Sequence, residues 1–118
     1  MPADSISTDP ISTDPDALVV FVTAPDTEVA AALARAVVEE GLAACGNLVP
    51  GLRSIYRWQG EICDEAEVLI LFKTRAERFE ALRDRIEALH PYDCPEVIAL
   101  PVVGGSAAYL QWIAENTA

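Results

Sequence analysis

At 118 residues the chain fits one domain, and 19 acidic against 8 basic side chains give it a formal net charge of −11. A chain of this length buries roughly 65% of its unfolded surface, enough to fold without metal or disulfide staples, and its acidity argues against phosphate-mediated nucleic-acid binding or docking on an anionic membrane. Hydrophobic residues make up 52% but aromatics only 7%, so the core must be mostly Val, Leu, Ile and Ala, and a small domain this apolar is expected to bury surface against copies of itself.

The three cysteines, Cys45, Cys63 and Cys94, cannot all pair within one chain. No apolar segment of the signal-peptide kind follows Met1, and no apolar run nears the roughly 20 residues of a membrane span. The expectation is a soluble protein of the reducing cytoplasm.

The chain opens with a tandem ISTDP, at Ile6 to Pro10 and Ile11 to Pro15. Its prolines block helix and its acids repel, so residues 1–16 are expected to be a disordered acidic tail, with 17–118 as the folded domain. From Leu18 the run LVVFVT predicts a buried strand ended by Ala24-Pro25. Asp26 can cap a helix in which Val29, Leu33 and Val37 share one face, and Gly41 suits its C-terminal end.

Leu42 to Thr74 reads as one long β-hairpin turning at Gln59-Gly60. Pro50-Gly51 cannot sit in a regular ladder, so a bulge or bend is expected in the first arm. The second arm ends in Val68 to Phe72, which places apolar side chains on both faces of the strand. Glu61, Glu65 and Glu67 read as a solvated acidic stretch.

Ala76 to Leu89 carries Phe79, Leu82, Ile86 and Leu89 at helical spacing, and His90-Pro91 ends it. Val97 to Val103 predicts a fourth strand that Pro101 marks as an edge or cuts short. Gly104-Gly105 turns the chain, and Ser106 caps a short helix over Ala107 to Ala114. The order βαββαβα, with two right-handed strand-helix-strand halves, predicts an α+β ferredoxin-like sandwich with both long helices on one face of a four-stranded antiparallel sheet. The other face is then bare and apolar, so association through the sheet follows from the pattern.

The segments FVTAPD (Phe21 to Asp26), EEGLAACGNLVPGLRSIYRWQGEI (Glu39 to Ile62), LFKT (Leu71 to Thr74), HPYDCPE (His90 to Glu96) and YLQWI (Tyr109 to Ile113) together resemble the CutA divalent-cation tolerance family. The resemblance runs from Leu18 to the C-terminus. It implies a tight homotrimer with sheets inward and helices outward, similar in architecture to PII-type signalling proteins, and an association with tolerance to copper and other divalent metals. No enzymatic activity defines the family. Some relatives carry a cysteine on the first strand where Val22 stands here, and they usually lack the cysteine found here at position 94.

His90 and Cys94 are spaced as His-x3-Cys, with Tyr92, Asp93 and Glu96 nearby, so imidazole, thiolate and carboxylate come together in one loop as Cu(II) or Zn(II) would require. The alternative for His90 is a helix cap and turn. Cys45, in the LAAC pattern, falls near Lys73 and Thr74 across the hairpin, and it reads either as a donor or as a small buried hydrophobe. The metal candidates are therefore His90, Cys45, Cys94 and Glu96, with Cu(II) the expected ion and none needed for folding. Lys73, the only lysine, stands where an apolar strand ends, its stem on the core and its ammonium at the rim or on a ligand. Tyr56, Arg57 and Trp58 near the hairpin tip, with Tyr109 and Trp112 on the last helix, suit contacts between subunits or the lining of an intersubunit cleft shared with Lys73 and Tyr92.

No G-x-S-x-G, H-E-x-x-H or P-loop pattern occurs, and VTAPD stands where an acylphosphatase-type loop would follow the first strand. The reading is a non-enzymatic, copper-binding homotrimer for metal-ion response. A trimeric scaffold or small-ligand signalling protein is the alternative.

Overall fold

In chain order the elements are β1 (Ala17–Ala24), α1 (Thr27–Glu39), β2 (Cys45–Trp58), β3 (Glu61–Arg75), α2 (Ala76–Leu89), β4 (Val97–Pro101) and α3 (Ala107–Glu115). They come from a computed structural model that describes residues 16–118; of the tail expected over residues 1–16, residues 1–15 lie outside the described residues. Asp16, assigned to that tail, belongs to the folded unit: its carbonyl accepts the Ala76 amide at 2.7 Å.

The strands form one sheet in the order β2-β3-β1-β4, antiparallel at every pairing. With the βαββαβ order this is the ferredoxin-like arrangement. Val20 lies opposite Phe72 and Ala99, and Val22 opposite Ile70 and Val97. These residues share one face, where all but the exposed Ala99 meet Ala30, Leu33 and Val37 of α1 and Leu82 and Ile86 of α2 in the main core. The Asp26 side chain accepts the Val29 amide at 2.8 Å and so caps α1.

On the opposite face the register aligns Ile98, Phe21, Leu71 and Asn47 in one row and Leu100, Val19, Lys73 and Cys45 in the next. Ile98 is 51% exposed and Leu100 43%. This face is not wholly bare, contrary to the sequence reading. Helix α3 folds over one end of it and seats Leu110 and Ile113 against Ala17 and Ala44. Beyond α3 the chain is held by Arg75 and Arg78, which donate to the Thr117 carbonyl at 2.9 and 2.8 Å.

The hairpin outruns the sheet. Below Val68 the strand β3 pairs only with β2, as far as Trp58 opposite Glu61, and the molecule measures 51 × 27 × 21 Å. The register shifts between Val49 and Leu52, where Pro50 offers no amide and Gly51 takes a φ of +84°; this is the expected bulge. Gln59 and Gly60 both have positive φ, as the tight primed turn requires. The fourth strand stops at Pro101 rather than reaching Val103. Pro101 has no amide to give the ladder, and one further bond in register, from the Val102 amide to the Ala17 carbonyl at 3.1 Å, ends the pairing with β1.

Candidate functional site

Where the hairpin leaves the sheet, it and the segment after α2 enclose a cleft of about 910 Å3. Thr23 of β1 and Leu69 and Glu67 of β3 line it beside Leu52, Ser54, Tyr56 and Trp58 of β2, and Pro91, Tyr92, Cys94 and Glu96 line it from the loop. Strand alternation explains the β3 contribution, since Glu67 lies two residues from Leu69 and so shares its face.

The loop is held by a hydrogen-bonded chain that starts at His90. Its amide donates to the Ile86 carbonyl at 2.8 Å and closes α2. The residue is 8% exposed, with Nε2 2.7 Å from the Thr23 carbonyl, while Nδ1 accepts the Tyr92 amide at 3.1 Å. Because the carbonyl can only accept and the amide can only donate, the imidazole is neutral with its proton on Nε2. The Tyr92 ring tilts against it, centroids 4.6 Å apart, and the Tyr92 hydroxyl donates to Glu67 Oε2 at 2.8 Å. Burial, then the bond to Glu67, push the Tyr92 phenol well above its ordinary range. Burial, then the charge of Glu67, raise the Glu96 carboxyl. On the adjoining ribbon Tyr56 donates to Glu65 at 3.0 Å, and that bond is the main reason its phenol is pushed up to about 12.

The sequence family described as CutA1 divalent ion tolerance protein matches residues 18–116 of the chain. The chain belongs to the CutA1 family. It is 54% identical over 99 residues to the divalent-cation tolerance protein CutA of Thermus thermophilus, covering 84% of this chain and 96% of that one. It is 50% identical over 97 residues to human protein CutA, covering 82% of this chain and 54% of the human one, so it spans about half the length of that relative. The solved Thermus thermophilus structure superposes with a TM-score of 0.84 at 53% identity, over 86% of this chain and 99% of that one. CutA1 from Oryza sativa gives 0.85 at 45% identity, over 91% and 98%.

Within this CutA1 chain the residues singled out from sequence divide into two groups. Tyr56, Trp58, Tyr92, Cys94 and Glu96 line the cleft. Cys45, Lys73, Tyr109 and Trp112 gather at the other end of β2: the Cys45 thiol lies 3.7 Å from the Tyr109 hydroxyl and 3.9 Å from Asn47 Oδ1. Lys73 also donates to Asn47, and the Tyr109 and Trp112 rings are 5.5 Å apart. Burial, then the bond to Cys45, push the Tyr109 phenol up to about 12.

The four metal candidates therefore do not form one donor set. His90 commits both ring nitrogens to protein partners and offers a metal no lone pair, a correction to its reading as a ligand. Cys45 sits apart from the cleft-lining Cys94 and Glu96. Among the described residues no group of three or more His, Cys, Asp and Glu side chains could hold a metal ion. Glu67 corrects the reading of a solvated acidic stretch, because it is only 8% exposed. Its parity with Leu69 and Leu71 was the available signal.

Proposed function

We propose that this CutA1-family chain is a homotrimer that binds a divalent cation, copper(II), and works by binding rather than catalysis. Family membership supports a role in tolerance to divalent metal ions, and the Thermus thermophilus relative bears that name. The observation that carries the finer reading is the cleft, where Cys94 and Glu96 stand with Asp93 and Glu67. Thiol and carboxylate donors together suit copper, which tops the divalent affinity order at such mixed sites. A cation there would also relieve the repulsion between Glu67 and Glu96. Since no three donors among the described residues gather closely enough, the coordination set is completed by a second chain, which the apolar sheet face favours as a neighbour. Three free thiols accord with a cytoplasmic setting. A trimeric scaffold on the PII plan is the second reading, favoured by that same apolar face.

Calorimetric titration with Cu(II) tests the assignment. Cys94→Ser and Glu96→Gln are expected to lower copper affinity by at least about tenfold, the scale for disturbing a metal's surroundings, while the remote Glu39→Gln leaves it unchanged. Equal affinity in all four proteins would reduce copper binding to general surface acidity and hand the function to the scaffold reading.

A further inference from the structure

One buried titratable group takes no part in the function proposed above, the imidazole of His90. The residue sits where three elements meet. Its amide ends α2 on the Ile86 carbonyl, its Nε2 reaches the Thr23 carbonyl of β1, and its Nδ1 accepts the Tyr92 amide and so fixes the start of the loop to β4. Farther along, the Tyr92 hydroxyl ties the same loop to Glu67 of β3. All of these bonds are made within one chain, at a residue that is 8% exposed before any second copy is added.

The two ring bonds respond to a proton in opposite ways. A carbonyl accepts from a neutral or a charged imidazole, and the bond strengthens when the donor is charged. The Tyr92 amide can only donate, and an imidazolium carries hydrogen on both of its nitrogens. A proton on Nδ1 therefore sets two N–H groups against each other and deprives the Tyr92 amide of its acceptor. A buried donor without an acceptor is costly, so the loop moves off while the ring stays on Thr23. Imidazole free in water takes up this proton near pH 6.5, within the range that cells and their compartments span.

The charged groups around the ring leave this response to His90 itself. Neither β1 nor β4 carries a titratable side chain, and Asp26 beyond β1 is engaged in capping α1. On α2, Arg85 is bonded to Glu40 and Arg83 to Asp84, and Glu87 is exposed. In the loop, Tyr92 tilts its ring against the imidazole, while Asp93, Cys94 and Glu96 are exposed. Glu67 of β3 stands behind Tyr92, and its carboxyl still offers that hydroxyl an acceptor oxygen when protonated.

We propose that His90 is an acid-sensitive latch on the loop between α2 and β4: a proton on Nδ1 ends the Tyr92 bond and frees residues 91–96 from β1, while the helices and the sheet stay folded. Neutral solution holds the loop and mild acid releases it. The latch needs no metal and operates whether or not copper binds.

Amide hydrogen exchange of the full chain, freed of metal with EDTA, is followed by NMR from about pH 7.5 to about pH 5, the range over which a histidine changes charge. Protection of the Tyr92 amide, corrected for the intrinsic pH dependence of exchange, is expected to fall about tenfold or more, with the Val20 and Ile70 amides of the sheet unchanged. His90→Gln keeps an uncharged donor for Thr23 and is expected to abolish the pH dependence at Tyr92. His90 is the only histidine, so the nitrogen resonances of its ring report in the parent, without any substitution, the pH at which Nδ1 takes up its proton. That midpoint is expected to coincide with the loss of Tyr92 protection. Protection that does not change with pH would overturn the proposal, as would two midpoints that differ. A fall that persists in His90→Gln would assign the response to the carboxylates of the loop and overturn it too, and a fall shared equally by Val20 and Ile70 would reduce it to acid unfolding of the whole domain.

Discussion

The imidazole of His90 could serve a metal or hold the chain, and its neighbours decide between them. With Thr23 accepting at one nitrogen and Tyr92 donating to the other, it ties the loop after α2 to β1, and the loop in turn presents Cys94 and Glu96 to the cleft. Glu96 shows the electrostatic consequence. Its carboxyl is raised by burial and by Glu67, so the folded chain holds this proton more tightly than the unfolded one. The stabilising contribution is complete below the ordinary glutamate value of about 4.3 and is lost as pH rises through the raised folded value. The permanently neutral Glu96→Gln is therefore expected to be more stable than the parent at neutral pH, an advantage that shrinks at about pH 3.5, where both side chains are uncharged. Urea midpoints of the metal-free proteins at the two pH values check this. A variant less stable at neutral pH would show that the carboxylate has an attractive partner instead.

At the scale of the elements, the β2-β3 hairpin does two jobs with one chain: its upper half completes the sheet and its lower half walls the cleft. The upper half depends on close approach. A Cβ built on Gly46 would lie 2.9 Å from the Phe72 ring and 3.1 Å from Ala34 of α1, and Phe72 is fully buried and has no room to yield. Gly46→Ala is expected to cost about 1–3 kcal/mol, the range for overpacking a well-filled core. The loss should appear as a lower urea midpoint with an unchanged slope; an unchanged midpoint would mean that β2 shifts away from α1 at little cost. The bulge at Pro50-Gly51 was legible because proline denies the ladder an amide. The way the lower ribbon frames a cleft was not, because it depends on where the loop after α2 packs.

For the whole molecule, the second face of the sheet is the feature that asks for a partner. Val19, Phe21, Leu69 and Leu71 are half-buried there and Ile98 and Leu100 exposed, in an otherwise acidic chain. Light scattering after gel filtration is expected to return the mass of three chains. Ile98 sits on the edge strand opposite Phe21 and is half exposed within one chain, so Ile98→Asp should cost the single subunit no more than about 0.5 kcal/mol, as surface substitutions do. It is nevertheless expected to break the assembly, because a buried, unpaired carboxylate at an interface is costly. A trimer that survives Ile98→Asp would place the interface elsewhere, and a monomeric parent would leave the apolar face without an explanation.

The linear sequence by itself determined the element order, the bulge, the caps at Asp26 and Ser106 and the two-faced apolar strands, since each rests on local stereochemistry or on a short periodicity. Its motifs were also enough to point to the family. Only the tertiary structure decided which donors meet. His90, Cys94 and Glu96 share one loop of sequence, yet the first turns inward to Thr23 and the other two line the cleft. Cys45, a candidate from the same reading, is carried by the hairpin register to Lys73 and by the fold of α3 to Tyr109. Glu67, which looked solvated among its acidic neighbours, is buried because α2 ends where Tyr92 can reach it. Periodicity reports which face of an element a residue occupies, whereas a site is made by faces from elements far apart in the chain, and their meeting depends on how helices and loops pack across the sheet.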